Sequence, residues 1–187
     1  LQKINLIQIW WGKNSLNQSK CYNYFKKYKS KFEVETNINY LFFDNDRIIK
    51  FLKNYNIYKK VFCNKIFQTD NYRLQSDILR IVILSFIGGF YLDLDVEIYD
   101  FDKFIEYLII LNNKYRNIIP ISKHIFFLKI DKLTSFSIYI RNYYIMRKVE
   151  TDTNMITYNW IIKFTKELTF VPDNEIYKYV KHHAVTK

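Results

Sequence analysis

The chain has 187 residues, enough for one sizeable domain with a closed core. Its formal net charge of +11 favours acidic partners: nucleic acid, an anionic membrane or a phosphorylated ligand. The lysines are nevertheless scattered, and the modest cluster at Lys20, Lys26, Lys27, Lys29 and Lys31 reads as a solvated helix face, so no nucleic-acid partner is expected.

From the amino terminus, Lys3 to Trp11 is a short apolar run that predicts a buried strand, ended by Gly12. Cys21, Tyr24, Phe25, Tyr28 and Phe32 recur near helical spacing and predict a helix over about Ser15 to Lys31. Phe32 to Phe43 is expected to be extended. Asp44, Asn45 and Asp46 then supply N-cap chemistry for a helix through Ile48, Leu52 and Tyr55. A short helix follows near Tyr58 to Phe67, and a nearly all-apolar helix from Leu74 to Ile87 that must be buried on most sides. Gly88-Gly89 stops it, and a strand runs from Phe90 to Glu97. Beyond Asp102, helices are expected at Phe104 to Leu111, Phe136 to Val149 and Trp160 to Leu168. Strands are expected at Ile118 to Ile121, Ile125 to Ile130 and Thr169 to Val171. The strand–helix alternation argues for an α/β fold with a mostly parallel sheet covered by helices.

Cys21 and Cys63 match no metal or redox spacing and are expected to be small buried hydrophobes. No apolar run reaches the roughly 20 residues of a membrane span, and no signal-peptide architecture is visible. Membrane association is therefore expected only through segments outside this chain, and the compartment stays open between cytoplasmic and Golgi-like or membrane-associated.

The chemistry concentrates around the double glycine. Arg73, Asp77 and Arg80 fall at i, i+4 and i+7, one stripe of an otherwise apolar helix. A local Asp77–Arg80 ion pair is the plain explanation, worth about 0.3 kcal/mol on an exposed helix. On a buried helix, unpaired charge is costly, which favours a stripe facing a ligand. In the strand, Phe90, Leu92, Leu94 and Val96 alternate with Tyr91, Asp93, Asp95 and Glu97. Asp93 and Asp95 would then sit about 7 Å apart on one face. Two carboxylates at that distance repel by roughly 2 kcal/mol at an effective dielectric near 20. A divalent cation reverses that repulsion, and hard oxygen donors suit Mg²⁺ or Mn²⁺.

These residues resemble a family. Ser76-Asp77-x-x-Arg80 with Gly88-Gly89-Phe90-Tyr91-Leu92-Asp93-Leu94-Asp95-Val96 is similar to the DXD-containing sugar-binding region of nucleotide-sugar glycosyltransferases. The nearest likeness is to the capsular-polysaccharide and fungal outer-chain mannosyltransferase type, with a more distant one to the glucosylating domain of large clostridial toxins. Ile7-Gln8-Ile9-Trp10-Trp11-Gly12 resembles the family's opening strand. The resemblance implies a GT-A fold, a Rossmann-like sandwich. It also implies a metal-dependent hexosyltransferase that moves a sugar, with retention, from a UDP- or GDP-sugar to a glycan or protein hydroxyl, as in polysaccharide biosynthesis.

Carried over residue by residue, the resemblance makes Asp93 and Asp95 the pair that engages the donor and its Mn²⁺ or Mg²⁺. Asp77 and Arg80 become contacts to the sugar hydroxyls and phosphate, and Trp10 an aromatic that stacks on the base. Tyr91 would line the sugar pocket, and Arg80 would join Asp93 and Asp95 in catalysis by stabilising the leaving diphosphate. Ordinary core packing remains the alternative for Trp10. His182 and His183 resemble the closing segment, where a His completes the metal site and Ser-Trp follows shortly; as plain sequence they read more readily as surface histidines than as ligands. No Ser-Trp follows here, so the chain is read as a single glycosyltransferase domain truncated at its carboxyl end. Two rivals remain: a degenerate, non-catalytic sugar-nucleotide-binding domain, and a basic metal-dependent nuclease using Asp93, Asp95 and Glu97.

Overall fold

The strand crossovers place the candidate site at the carboxyl ends of two interior strands of a sheet. The structure is a computed structural model that describes residues 3–63, 65–121, 126–132 and 168–183. The helices expected at Phe136 to Val149 and over most of Trp160 to Leu168 lie outside the described residues. The sheet has six strands in the order β2-β1-β3-β6-β5-β7: β1 (Ile4–Ile9), β2 (Ile38–Phe43), β3 (Gly89–Leu92), β5 (Asn117–Ile121), β6 (Phe127–Ile130) and β7 (Leu168–Pro172). β1 lies parallel to both β2 and β3, and β5 to β7, while β6 runs antiparallel to β3 and β5. The mostly parallel α/β sandwich expected from the sequence is thus the fold, consistent with the GT-A type.

Alternation along the strands sorts the core into two layers. Ile7, Ile9, Phe43 and Tyr91 face α2 (Asn45–Asn54), α3 (Tyr58–Phe62) and α4 (Tyr72–Ile87). Leu6, Phe90, Leu92 and Phe127 face α1 (Tyr22–Val34) and α5 (Phe101–Lys114) on the other side. The chain leaves β1 toward β2 on one side, then crosses back past β1 to β3. That reversal makes the carboxyl ends of β1 and β3 a topological switch point, the place where ligands bind in open α/β sheets.

Local chemistry explains the boundaries. Asp44 caps α2, its carboxylate accepting from the Arg47 N–H at 2.9 Å. Asn71 caps α4 by accepting from the Leu74 N–H at 3.1 Å. Gly88 (φ 76°) and Gly89 (φ 120°) occupy backbone conformations closed to most side chains. A Cβ on Gly88 would lie 2.8 Å from Lys132, and one on Gly89 would strike the Asn5 carbonyl oxygen. The double glycine therefore turns α4 into β3 and lets β3 press against β1.

Several expectations need correction. α1 begins at Tyr22 after a short 3-10 turn (Leu16–Gln18) and runs to Val34, so the extended stretch begins at Ile38 rather than Phe32. The helix expected to Phe67 divides into α3 and a 3-10 turn (Lys65–Gln68). Cys21 is buried as expected, but Cys63 is exposed. Most consequentially, Phe90 to Glu97 is not one strand. β3 ends at Leu92, and β4 (Val96–Ile98) belongs to a separate two-stranded ribbon with β8 (Val180–His182), which follows the short α6 (Asp173–Ile176). Among the described residues no helix is long and apolar enough to cross a membrane.

Candidate donor and metal site

A cleft of about 930 Å³ opens at the carboxyl ends of β1 and β3, lined among others by Trp10, Asp77, Arg80, Tyr91, Asp95 and His182. Because β3 stops at Leu92, Asp93-Leu94-Asp95 forms the turn between β3 and β4 rather than a strand face. Leu94 leaves the alternation altogether and packs with Trp10, Cys21 and Phe25. The two aspartates are brought together by the turn around it.

α4 contributes the expected stripe. Arg80 is only 4% exposed and bridges two carboxylates: its Nη2 lies 2.9 Å from Asp77 Oδ1 and its Nη1 3.6 Å from Asp93 Oδ1. The guanidinium sits over the Tyr91 ring at 5.2 Å, and the Tyr91 hydroxyl donates to Asp93 Oδ1 at 2.5 Å. Burial works against the Arg80 charge, but the fields of Asp77, Tyr91 and Asp93 outweigh it and hold its pKa above the ordinary value. Asp93 shows the mirror image. Burial disfavours its charge, yet hydrogen bonding from His182, the Arg80 charge and the Tyr91 hydroxyl keep its pKa below the usual carboxylate range. Burial, reinforced by the neighbouring Asp93 charge, raises the Tyr91 phenol well above its ordinary value, so it stays a donor.

His182 approaches from the far end of the chain. Its Nε2 lies 3.4 Å from Asp93 Oδ2 and 3.3 Å from Asp95 Oδ1, and its ring stacks on Phe126 at 4.8 Å. Donor atoms of Asp93, Asp95 and His182 all fall within 4.8 Å of one another. Two ligands each about 2.1 Å from one small divalent ion lie roughly 3.0–3.4 Å apart, so these three fit such an ion with little movement.

Without an ion, the ring itself supplies the positive charge. Burial opposes its protonation, but hydrogen bonds to Asp93 and Asp95 prevail and raise the His182 pKa to about 9. The folded value lies above the unfolded 6.5, so this contribution to stability is fully present below about pH 6.5 and is lost as pH rises through about 9. In chelator, the stability gap between the unaltered chain and His182→Ala is therefore expected to narrow across that window. Thermal melts of both chains from pH 6 to 10 measure it, and a pH-independent gap would contradict the assignment.

The remaining sequence candidates divide. Trp10 reaches the cleft but is 8% exposed, and its indole N–H donates to the Asn14 carbonyl at 3.0 Å. His183 is not brought to the ion-binding group; it lies 2.9 Å from Glu97 and stacks on Tyr24. Glu97 likewise stands outside that group, which removes the third carboxylate a nuclease reading required. Two supporting residues were missed. Gln8 donates to the Asp93 carbonyl at 3.2 Å while accepting from the Tyr40 hydroxyl at 2.9 Å, fixing the turn to β1. Buried Gln75 accepts from the Trp11 indole at 2.7 Å and donates to the carbonyls of Ile66 and Thr69. Gln8, an amide between Ile7 and Ile9, carries a pattern that signals a buried polar partner, whereas Gln75 sits beside Arg73, Ser76 and Asp77 and carries no such signal.

Comparison with known families agrees with this geometry. The family described as the glycosyltransferase sugar-binding region containing the DXD motif matches residues 12–107, just over half of the chain. That span includes Asp77, Arg80, Tyr91, Asp93 and Asp95, while Trp10 and His182 lie outside it. No match was found among curated proteins. Sugar-nucleotide donor binding and a general use of divalent metals go with this family. The chain belongs to the DXD-motif glycosyltransferase sugar-binding family.

Proposed function

We propose that this domain transfers a hexose from a UDP- or GDP-sugar to a glycan or protein hydroxyl, with retention, in a reaction that needs Mn²⁺ or Mg²⁺. The observation that carries the proposal is the convergence of Asp93, Asp95 and His182 on one point of a cleft whose wall presents Asp77 and Arg80. In this reading Asp95, His182 and one oxygen of Asp93 hold the ion. When bound there, the ion neutralises charge developing on the departing diphosphate.

The protein's own groups do the rest. Arg80, fixed between Asp77 and Asp93, is preorganised to direct positive charge toward the donor without reorganising during reaction. Asp77 retains acceptor capacity for sugar hydroxyls, and Tyr91 locks Asp93 in orientation. The bond from C1 to the diphosphate breaks, its electron pair leaving with the phosphate. The acceptor oxygen bonds to C1 on the same face, and its proton passes to the departing phosphate oxygen. No protein nucleophile is invoked, since Asp77 and Asp93 are both engaged by Arg80.

The test is release of nucleoside diphosphate from a panel of UDP- and GDP-sugars, with and without Mn²⁺. Metal-dependent release from at least one donor is the expected result; none from any donor would favour the degenerate, binding-only alternative. Trp10→Ala is expected to weaken nucleotide binding by roughly 1–3 kcal/mol if the ring meets the base. Calorimetric titration decides this, and unchanged affinity with lowered thermal stability would assign Trp10 to the Leu94–Phe25 cluster alone.

A further inference from the structure

Two residues with chemical capacity stand beside the site without a part in it, Glu97 and His183. β8 is three residues long and, among the described residues, pairs only with β4, with Val96 opposite His182 and Glu97 opposite Lys181. A two-stranded ribbon is marginally stable by itself. Yet it delivers His182, the only imidazole among the three donors.

The sequence adds a particular hazard. Successive residues at a strand end point to opposite faces. The adjacent His182 and His183 therefore present one ring to Asp93 and Asp95 and the other to α1. A slip of one residue would exchange them and still offer an imidazole to each side. Backbone pairing over three residues discriminates poorly between the two registers, so side chains must choose.

We propose that Glu97 and His183, with Tyr24, form a clasp that sets the register of β8 and thereby positions His182. This rests on the metal-site reading above. His183 Nε2 lies 2.9 Å from the Glu97 carboxylate, and the ring stacks on Tyr24 of α1 at 5.0 Å with an interplanar angle of 23°. Lys27 of the same helix approaches Glu97 at 3.8 Å. One turn farther along α1, the Tyr28 hydroxyl accepts from the Ile98 N–H at 2.9 Å and donates to the Ile98 carbonyl at 3.1 Å. α1 thus holds β4 from the face that receives His183. The His183 N–H also donates to the Asp95 carbonyl at 3.0 Å, tying the clasp to the aspartate turn. In the slipped register His182 would have to leave its stack on Phe126, which favours the observed one from the opposite side. Glu97 and His183 are positioning residues that do not touch substrate.

The experiment is Mn²⁺ binding to the whole chain, read from the free-ion electron paramagnetic resonance signal, with melts to confirm folding. Glu97→Ala and His183→Ala are each expected to weaken Mn²⁺ binding by about tenfold, the lower end for loss of a ligand's supporting group. The double variant should lose no more than either single one, because both remove the same clasp; simple destabilisation would instead add. Glu97→Gln, which keeps a hydrogen bond to His183, should bind nearly as the unaltered chain does. Tyr24→Leu, milder than the alanine variants, should weaken binding by about threefold. Unchanged Mn²⁺ affinity in Glu97→Ala, His183→Ala and Tyr24→Leu, beside lost affinity in Asp95→Ala, would overturn the clasp alone. Equal binding by the unaltered chain and Asp95→Ala would overturn the metal site and the clasp with it.

Discussion

Asp95→Ala is expected to lower metal-dependent transfer by at least about a hundredfold while leaving the fold intact. The magnitude follows from charge. Lewis-acid stabilisation of a departing phosphate is worth several kcal/mol, and each 1.36 kcal/mol is a factor of ten in rate. Asp95 sits in a turn outside both apolar core layers and pairs with His182, so its loss removes that pair and leaves the two layers in place. Removing it leaves Asp93 and His182 as the ligand pair, and Asp93 is already shared with Arg80 and Tyr91. Steady-state rates across a Mn²⁺ titration check this; a rate unchanged at all metal concentrations would remove Asp95 from the mechanism.

Arg80→Met should be costlier to the fold than to any single contact. Methionine fills the space, but Asp77 and Asp93 would face each other across it without the guanidinium. Breaking a buried ion pair by removing one partner costs about 3–5 kcal/mol. Burial works against the Asp93 charge, and after the hydrogen bond from His182 the Arg80 charge is the next group holding that carboxyl low, so its removal moves the pKa upward. The destabilisation should therefore be larger at pH 8 than at pH 5, and urea unfolding at both values measures the difference. Arg80→Lys should rescue only partly, because one ammonium cannot reproduce contacts made through both Nη1 and Nη2. A pH-independent loss would mean that Arg80 acts by packing alone.

How much of this could be read from the chain depends on the range of the interaction involved. The α4–Gly-Gly–β3 unit was legible because its determinants are local: helical periodicity, two positive φ angles and an apolar strand start. The Asp77–Arg80 stripe was legible for the same reason, and the fold supplies its meeting with Asp93. The break after Leu92 was not. Leu94 and Val96 continue the alternation of Phe90 and Leu92, and nothing local reveals that Leu94 turns toward Trp10 and Phe25 while Val96 joins β8. Strand pairing is a long-range choice, and the same holds for β6 entering antiparallel between β3 and β5.

The two histidines show the limit most clearly. Their identity as candidates came from a likeness at the carboxyl end, but which ring faces the aspartates is a question of register with β4. Glu97 was grouped with the aspartates by the same unbroken alternation, and the end of β3 separates them. Gln8 had a signal in the sequence, an amide between Ile7 and Ile9, whose partners only the fold supplies; Gln75, beside Arg73, Ser76 and Asp77, had none.

The proposed function has one cleft bind a nucleotide-sugar through a divalent ion held by Asp93, Asp95 and His182. The most direct measurement is the melting temperature of the chain with a panel of UDP- and GDP-sugars, in the presence and absence of Mn²⁺. A ligand at a hundredfold its dissociation constant adds about 2.7 kcal/mol. For a domain of this size that corresponds to an upward shift of about 5–10 °C. This binding mode predicts such a shift for at least one nucleotide class only when Mn²⁺ is also present, and its loss in Asp95→Ala. Equal stabilisation with and without metal, or none from any donor, would contradict it.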